Sequence, residues 1–186
     1  HYFWVDVNTV GDGSAVTLPS PPYLSIVGGA VEKLVVNVPS TVVAERPFQI
    51  QVKAEDAWGN PAAAYRGTVA IQSENVTVPA EQLTFGEADR GVRWVEGCSV
   101  TQVGIHRLTV ADEQVGLTAQ SNPTLCQKTA DRYELYWGDS HGGQVKMAEK
   151  ISDFFRYARD VAAIHFAGYQ RNDFVLSRQD WATQQE

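Results

Sequence analysis

The order of apolar and polar residues along the chain predicts a β-rich region in the middle of the sequence. Between residues 31 and 120, short runs alternate between apolar and polar side chains, as along 48–52, where every second residue is apolar. This period of two is typical of strands that bury one face. The candidate strands lie at 34–38, 48–52, 69–71, 76–78, 83–85, 92–95, 105–110 and 115–119. Their spacing of roughly ten residues, with turn residues between them, predicts a two-sheet β-sandwich.

A different pattern begins near residue 126. A strand-like run at 133–137 precedes a helical segment at about 147–163, and a short apolar run follows at 164–168. The apolar residues of the helical segment fall on one stripe, which comprises Ile151, Phe154, Phe155, Ala158, Val161 and Ala162. Strand, helix and strand in this order predict the start of a βαβ unit with parallel strands.

These patterns divide the chain into three parts. Residues 1–28 contain a strand-like run, a turn signal and three closely spaced prolines, which indicate the end of a preceding β domain or a linker. Residues 29–125 form the predicted sandwich, and residues 126–186 form an incomplete α/β domain. The first residues are strand-like, and the last ones begin a new motif. We therefore expect the chain to be part of a longer protein.

Composition narrows the classes of partner. The formal net charge of −7 argues against a nucleic-acid partner, which would require a concentrated basic face. The sequence has no apolar run of 18 residues, so we expect no membrane-spanning helix. Cys98 and Cys126 are too few for a disulfide scaffold, and sequence leaves open whether they pair in an exported protein. The compartment is undetermined, with export one open option.

The candidate chemistry lies at Asp139 and His141, after the first predicted strand of the α/β part. Loops at the carboxyl ends of parallel strands hold the active sites of α/β folds. Two residues apart on an extended segment, these side chains would face the same side and could reach one metal ion. The alternative is that Asp139 caps the helical region while His141 makes a surface hydrogen bond. Spacing alone favours this alternative, because such a triplet is common by chance.

Other histidine and tryptophan residues favour structural roles. His106 lies within a predicted strand, and we expect its ring to project from the sandwich surface. His165 is expected to be hydrogen-bonded in the sheet, with metal ligation as the alternative. Trp58 and Trp94 are interpreted as packing anchors of the sandwich.

Several segments in order resemble the DUF3604 family. They are YWGDSHG at 136–142, DFFRYARD at 153–160, GYQRNDF at 168–174 and the tryptophan at 181. Upstream, DAWGNP at 56–61 resembles a turn of bacterial immunoglobulin-like domains, and it also resembles members of this family, as does SNP at 121–123. The DUF3604 family is similar to PHP-type metal-dependent phosphoesterases, whose distorted β/α barrel holds two or three metal ions. The resemblance covers nearly the whole chain.

The resemblance implies a mainly β fold, in which an immunoglobulin-like β-sandwich is followed by the first βαβ portion of a PHP-like α/β barrel. It implies divalent metal ions (zinc, manganese or iron). Asp139 and His141 correspond to metal-site residues, and Asp173, with its neighbour Asn172, lies near the site. His165 is a candidate substitute ligand, because it stands where the family commonly has Asp.

Two hypotheses follow. In the first, the chain is a fragment of a metal-dependent hydrolase of small phosphorylated or ester substrates. It would be inactive alone, with further ligands supplied by the remainder of a longer chain or by another protomer. In the second, it is a non-catalytic immunoglobulin-like structural or binding module with a degenerate C-terminal segment. Gly143 and Tyr169, which stand where the family has His, favour the second hypothesis, whereas the order of the motifs favours the first.

Overall fold

The computed structural model describes residues 6–7, 16–17, 27–133, 135–141, 151–169 and 182. Its strands are β1 (Asp6–Val7), β2 (Val16–Thr17), β3 (Lys33–Asn37), β4 (Thr41–Val43), β5 (Phe48–Glu55), β6 (Thr68–Gln72), β7 (Val76–Thr77), β8 (Gln82–Thr84), β9 (Val92–Val100), β10 (Gly104–His106), β11 (Thr109–Asp112), β12 (Leu117–Gln120), β13 (Thr124–Gln127), β14 (Gly138–Asp139) and β15 (Phe166–Ala167). The helix α1 spans Ile151–Asp160. Within this described part, no helix is long and apolar enough to cross a membrane.

Two four-stranded antiparallel sheets form the centre of the molecule. Their strand orders are β3-β5-β9-β7 and β12-β11-β6-β8. Alternate residues of β5 point into the core, so that Ile50, Val52 and Ala54 are fully buried. They belong to one apolar cluster with Val69 of β6 and Val110 of β11, on the other sheet. One core shared by two sheets is the arrangement of a β-sandwich, and the predicted mainly β fold is confirmed.

The chain also contains strands that the alternation did not predict. The short β4 and β13 pair in parallel, and β10 pairs with the other edge of β13. Because β4 has three residues and β13 has four, neither is long enough for a clear period of two. The predicted end of the sandwich at residue 125 falls inside β13, and Cys126, just beyond it, lies in the sandwich core. A separate antiparallel pair, β1 with β2, precedes the sandwich.

The turn at 56–61 is organised by the Asp56 carboxylate. Its oxygens accept hydrogen bonds from the backbone N–H groups of Gly29, Trp58 and Asn60, each at 2.9 Å. These bonds, the one from Gly29 most of all, hold the pKa of Asp56 well below its usual range. Gly59 adopts a φ of 85°. The interpretation of Trp58 as a packing anchor was wrong, because the tip of this turn projects from the sandwich and leaves the ring 88% exposed.

Three buried groups of the sandwich bear on the sequence predictions: His106 was expected at the surface, and the pairing of Cys98 with Cys126 was left open. His106 is buried rather than surface-facing, and its Nε2 forms a 2.6 Å hydrogen bond with the carbonyl oxygen of Gln102. Cys98 and Cys126 are both buried free thiols. Burial raises the pKa of Cys98 to about 11 and also raises the pKa of Cys126, so neither is poised as a nucleophile.

The C-terminal part contains a pair of parallel strands, but the first lies later than the predicted 133–137, because residues 135–137 are not in a strand and β14 begins at Gly138. β14 pairs with β15 in parallel, with Asp139 opposite Ala167, and α1 lies between them in sequence. The parallel arrangement expected of the βαβ unit is thus confirmed. Within the described residues, α1 begins at Ile151 and ends at Asp160, short of the predicted limit at 163. The helix ends early because Ala163 adopts a left-handed φ of 55°, which turns the chain toward β15.

Candidate functional site

The candidate site lies where the carboxyl ends of β14 and β15 meet. The backbone N–H of Gly168, just after β15, donates a 2.6 Å hydrogen bond to the carbonyl oxygen of Asp139. At the opposite end of the pair, the N–H of His165 donates to the carbonyl oxygen of Trp137 at 2.7 Å. The two strands are therefore joined at both ends, and the 139–141 turn lies beside the chain leaving β15.

Two motif glycines permit this close approach. A Cβ atom at Gly138 would overlap the carbonyl oxygen of Phe166, and one at Gly168 would overlap the carbonyl oxygen of Ser140. Side chains at these positions would force the two strands apart. The glycines of the YWGDSHG and GYQRNDF segments thus have a physical role, which is to bring the two loops together.

Asp139 and His141 are held in one tight turn. The Oδ1 atom of Asp139 accepts a 2.8 Å hydrogen bond from the backbone N–H of His141, and both residues are exposed. The expectation of an extended segment was wrong, because β14 ends at Asp139 and residues 140–141 turn back onto its carboxylate. The bond is local, and it places the Asp139 carboxylate beside the chain that carries His141.

His165 lies at the other end of the strand pair. Its Nδ1 atom accepts a 2.9 Å hydrogen bond from the backbone N–H of Trp137, and its ring meets that of Tyr136 edge to face at 5.6 Å. A neutral imidazole that accepts at Nδ1 carries its proton on Nε2, so it has no free lone pair for a metal ion. Ligation by His165 would require this bond to break, and its ligand role stays a prediction.

The remaining predicted ligands are not brought together by the described residues. Asp173, together with Asn172 and Gly143, lies outside them. Among the residues that the structure does describe, no group of three or more His, Cys, Asp or Glu side chains could hold a metal ion. Within the described residues, the 139–141 turn thus supplies one carboxylate and one imidazole, and a metal site there stays a prediction.

We call the described residues from 135 onward the C-terminal unit. A groove separates the sandwich from this unit at the amino ends of β14 and β15. It encloses about 1040 Å³ and includes Trp94, Glu96, Trp137, Arg159, Asp160 and His165 in its walls. Trp94 was interpreted as a packing anchor of the sandwich. It is half-buried, and its indole N–H instead donates a 3.1 Å hydrogen bond to the carbonyl oxygen of Asp160 at the end of α1.

Sequence reasoning missed three residues that hold the two parts together: Ser40, Gln51 and Trp94. Gln51 lies on the polar face of a strand, where the pattern predicts contact with solvent. A signal that distinguishes a solvated glutamine from one that binds a second part of the chain is not contained in a single sequence.

Comparisons with known proteins do not identify a family. No protein-family model and no curated protein matches the chain. Solved structures with partial similarity include a glycosyl hydrolase family 2 member from Bacteroides cellulosilyticus, at 19% identity and a TM-score of 0.47. That match covers 66% of this chain, which spans only 16% of the hydrolase.

Two further structures are similar at lower scores. Domains 4 and 5 of the S-layer protein SbsC match at 16% identity and a TM-score of 0.37, covering 62% of this chain and 53% of that one. Superoxide reductase (neelaredoxin) from Ignicoccus hospitalis matches at 13% identity and a TM-score of 0.35, covering 52% of this chain and 82% of that one. Similarities at these scores carry no argument about function.

Proposed function

We propose that this chain carries an immunoglobulin-like sandwich and the opening βαβ unit of a PHP-like, metal-dependent hydrolase domain related to the DUF3604 family. In this proposal, Asp139 and His141 are the first two residues of a divalent-metal site. The substrates would be small phosphorylated or ester compounds, and the chain would be inactive without further ligands. Those ligands would come from Asp173, from the remainder of a longer chain or from another protomer.

The observation that carries the proposal is the meeting of two motif loops at the carboxyl ends of parallel strands. Asp139 is the last residue of β14, His141 lies in the turn that follows, and Gly168 follows β15 and donates to the carbonyl oxygen of Asp139. This edge of a parallel sheet is where α/β folds place their catalytic groups. The resemblance of the same segments to metal-binding motifs is an independent argument for the same position.

The donor atoms present suit a divalent cation. A carboxylate oxygen and an imidazole nitrogen are ordinary ligands of zinc, manganese and iron. A cation bound there would lower the pKa of a coordinated water and offset the charge of a phosphate group. In an acidic chain of net charge −7, such a cation would also supply the positive charge that a phosphorylated substrate requires. Two ligands alone bind weakly, which is why the proposal requires others.

Weak metal binding at the 139–141 turn can be tested with paramagnetic manganese. In an amide-resolved NMR spectrum, substoichiometric Mn²⁺ should broaden the backbone signals of His141 and Gly168 before others. The variants Asp139→Asn and His141→Gln should each abolish this selective broadening, because the first removes the carboxylate charge and the second removes the imidazole nitrogen, each at nearly the same volume. Glu113→Gln is the matched control, since Glu113 is an exposed carboxylate of the sandwich. Broadening that is uniform, or that persists in both site variants, would contradict the proposal.

The second candidate is a non-catalytic structural or binding module. It is favoured by His165, whose Nδ1 is already bonded to the Trp137 backbone, and by the presence of only a partial ligand set among the described residues. The manganese experiment separates the two candidates. A wild-type spectrum without selective broadening at residues 139–141 would favour the structural module.

A further inference from the structure

Gln51 is a polar residue in an unexpected environment. It lies on the polar face of β5, yet its side chain is fully buried, whereas Gln49, two residues earlier on the same strand, is exposed. Within the described residues, the groups that bond its Nε2 are the carbonyl oxygens of Asp160 at 2.9 Å and Val161 at 3.4 Å. The end of α1 therefore covers this part of the outer sandwich face.

The amide of Gln51 is fixed in one orientation. Asn37 donates from its Nδ2 atom to Oε1 of Gln51 at 3.0 Å, which directs the Nε2 donor of Gln51 toward α1. The indole N–H of Trp94 donates to the same Asp160 carbonyl oxygen at 3.1 Å. The last carbonyl groups of a helix have no partner within the helix, and here the sandwich supplies donors to the carbonyl oxygen of Asp160, the last residue of α1.

A second attachment holds β14. Trp137 directly precedes β14, and its indole N–H donates a 2.8 Å hydrogen bond to the hydroxyl oxygen of Ser40 on the sandwich. We call Ser40, Gln51 and Trp94 together the docking surface. It binds the chain before β14 through Trp137, and it binds the end of α1, which leads through Ala163 into β15.

Both attachments lie at the amino ends of the parallel pair. Trp137 precedes β14, and the turn after α1 precedes β15. Asp139, His141 and Gly168 lie at the carboxyl ends, away from the sandwich contacts. In α/β folds the carboxyl ends hold the chemistry, whereas the amino ends contribute to stability. The sandwich is thus placed where it can fix both strands without covering the candidate site.

We propose that the docking surface positions the 139–141 turn, with Gln51 and Trp94 as positioning residues that act through the end of α1. The proposal deepens the proposed function, because it assigns the sandwich a part in forming the site. The links run in order along the chain. Gln51 and Trp94 donate to the carbonyl oxygen of Asp160, and residues 161–164 lead from there to His165. His165 is hydrogen-bonded to Trp137, and Gly168 donates to the carbonyl oxygen of Asp139. Variants that weaken the bonds of Gln51 and Trp94 to Asp160 should therefore also weaken the bond between Gly168 and Asp139.

The test is amide hydrogen exchange of the whole chain in the variants Gln51→Leu and Trp94→Phe. Gln51→Leu removes the two N–H groups of the side-chain amide at similar volume and leaves the carbonyl oxygen of Asp160 without one of its donors. Trp94→Phe removes the indole N–H while keeping an aromatic ring. We expect the amides of Ile164, His165 and Gly168 to exchange about tenfold faster in Gln51→Leu and several-fold faster in Trp94→Phe. Gln49→Leu is the matched control and should leave all three rates unchanged.

Two results would overturn the proposal. In one, neither variant changes any of these rates relative to Gln49→Leu. In the other, only the Ile164 amide at the end of α1 accelerates while Gly168 does not, so that the surface binds the helix without positioning the turn. Because this readout uses no metal, it is independent of the manganese experiment. A chain that shows the predicted exchange but no selective broadening would retain the docking surface and lose the proposed hydrolase role.

Discussion

The sandwich and the described residues of the C-terminal unit differ in how many apolar side chains they bury. The sandwich has one continuous apolar cluster, which runs from Leu34 to Cys126. In the described residues from 135 onward, the buried apolar side chains are Ile151 and Ala158, while large apolar side chains remain exposed. These exposed side chains are Leu135, Tyr136, Trp137, Phe155, Tyr157 and Phe166.

This difference indicates a hierarchy within the chain. Burial of apolar area is the main favourable contribution to folding, so the sandwich can be stable by itself. The described residues of the C-terminal unit bury much less apolar surface. Their contacts with the sandwich include hydrogen bonds with Ser40, Gln51 and Trp94. We therefore expect the sandwich to fold on its own core and to hold the C-terminal unit in place.

The largest effect should come from the sandwich core. Ile50→Ala removes a fully buried side chain at the centre of β5 and should lower the free energy of unfolding by about 2–5 kcal/mol. Urea denaturation followed by circular dichroism measures this loss. Phe155→Ala, at a partly exposed position on α1, is the comparison and should cost much less. Equal losses for the two variants would contradict the hierarchy.

A smaller and pH-dependent effect is expected at Tyr65. Its buried hydroxyl donates to the carboxylate of Asp112, and Tyr65→Phe should cost about 1–3 kcal/mol. Burial, followed by the bond to Asp112 and its charge, raises the pKa of Tyr65 above its ordinary value.

The sign of the pH dependence follows from that raised pKa. The folded chain holds the phenol proton more tightly than the unfolded chain, so the stabilisation is fully present below about pH 10 and is lost as the pH rises further. Urea titrations between neutral pH and pH 11 should show a steeper alkaline loss in the wild type than in Tyr65→Phe. Parallel pH profiles would show that Tyr65 does not contribute in this way.

The smallest effect on the sandwich should come from removing the C-terminal unit. A chain ending at Arg132 retains every residue of the sandwich cluster, the last of which is Cys126. Its unfolding free energy should change little, because the apolar cluster that supplies the main favourable contribution to folding is retained. In this shortened chain, Gln51→Leu should be nearly neutral, because its partners at the end of α1 are gone. Failure of the shortened chain to fold would show that the two parts are mutually dependent.

How far sequence predicted the structure depended on the range of the interactions. Alternation along 48–52 predicted β5, and the order of strand, helix and strand predicted the parallel pairing of β14 with β15. These features follow from periodicity and from the rule that crossovers join parallel strands. The short β4 and β13 were missed because their positions depend on partners far away in the chain.

The candidate site was predicted in position but not in conformation. The pattern placed Asp139 and His141 after a strand at 133–137, in an extended segment. Asp139 is instead the last residue of β14, and His141 lies in a turn after it. The docking surface was not predicted, since Gln51 has the same local pattern as the exposed Gln49. The family relationship, the metal and the roles of Asp173 and His165 stay predictions.

The central claim is that the sandwich folds on its own core and holds the C-terminal unit. Native-state hydrogen exchange of the intact chain at increasing urea concentrations tests it most directly. We expect amides of β5 and β6 to exchange only through global unfolding, and those of α1, His165 and Gly168 to exchange through a separate opening of lower free energy. A single opening free energy for both sets of amides would contradict the account, because it would mean that the two parts fold as one unit.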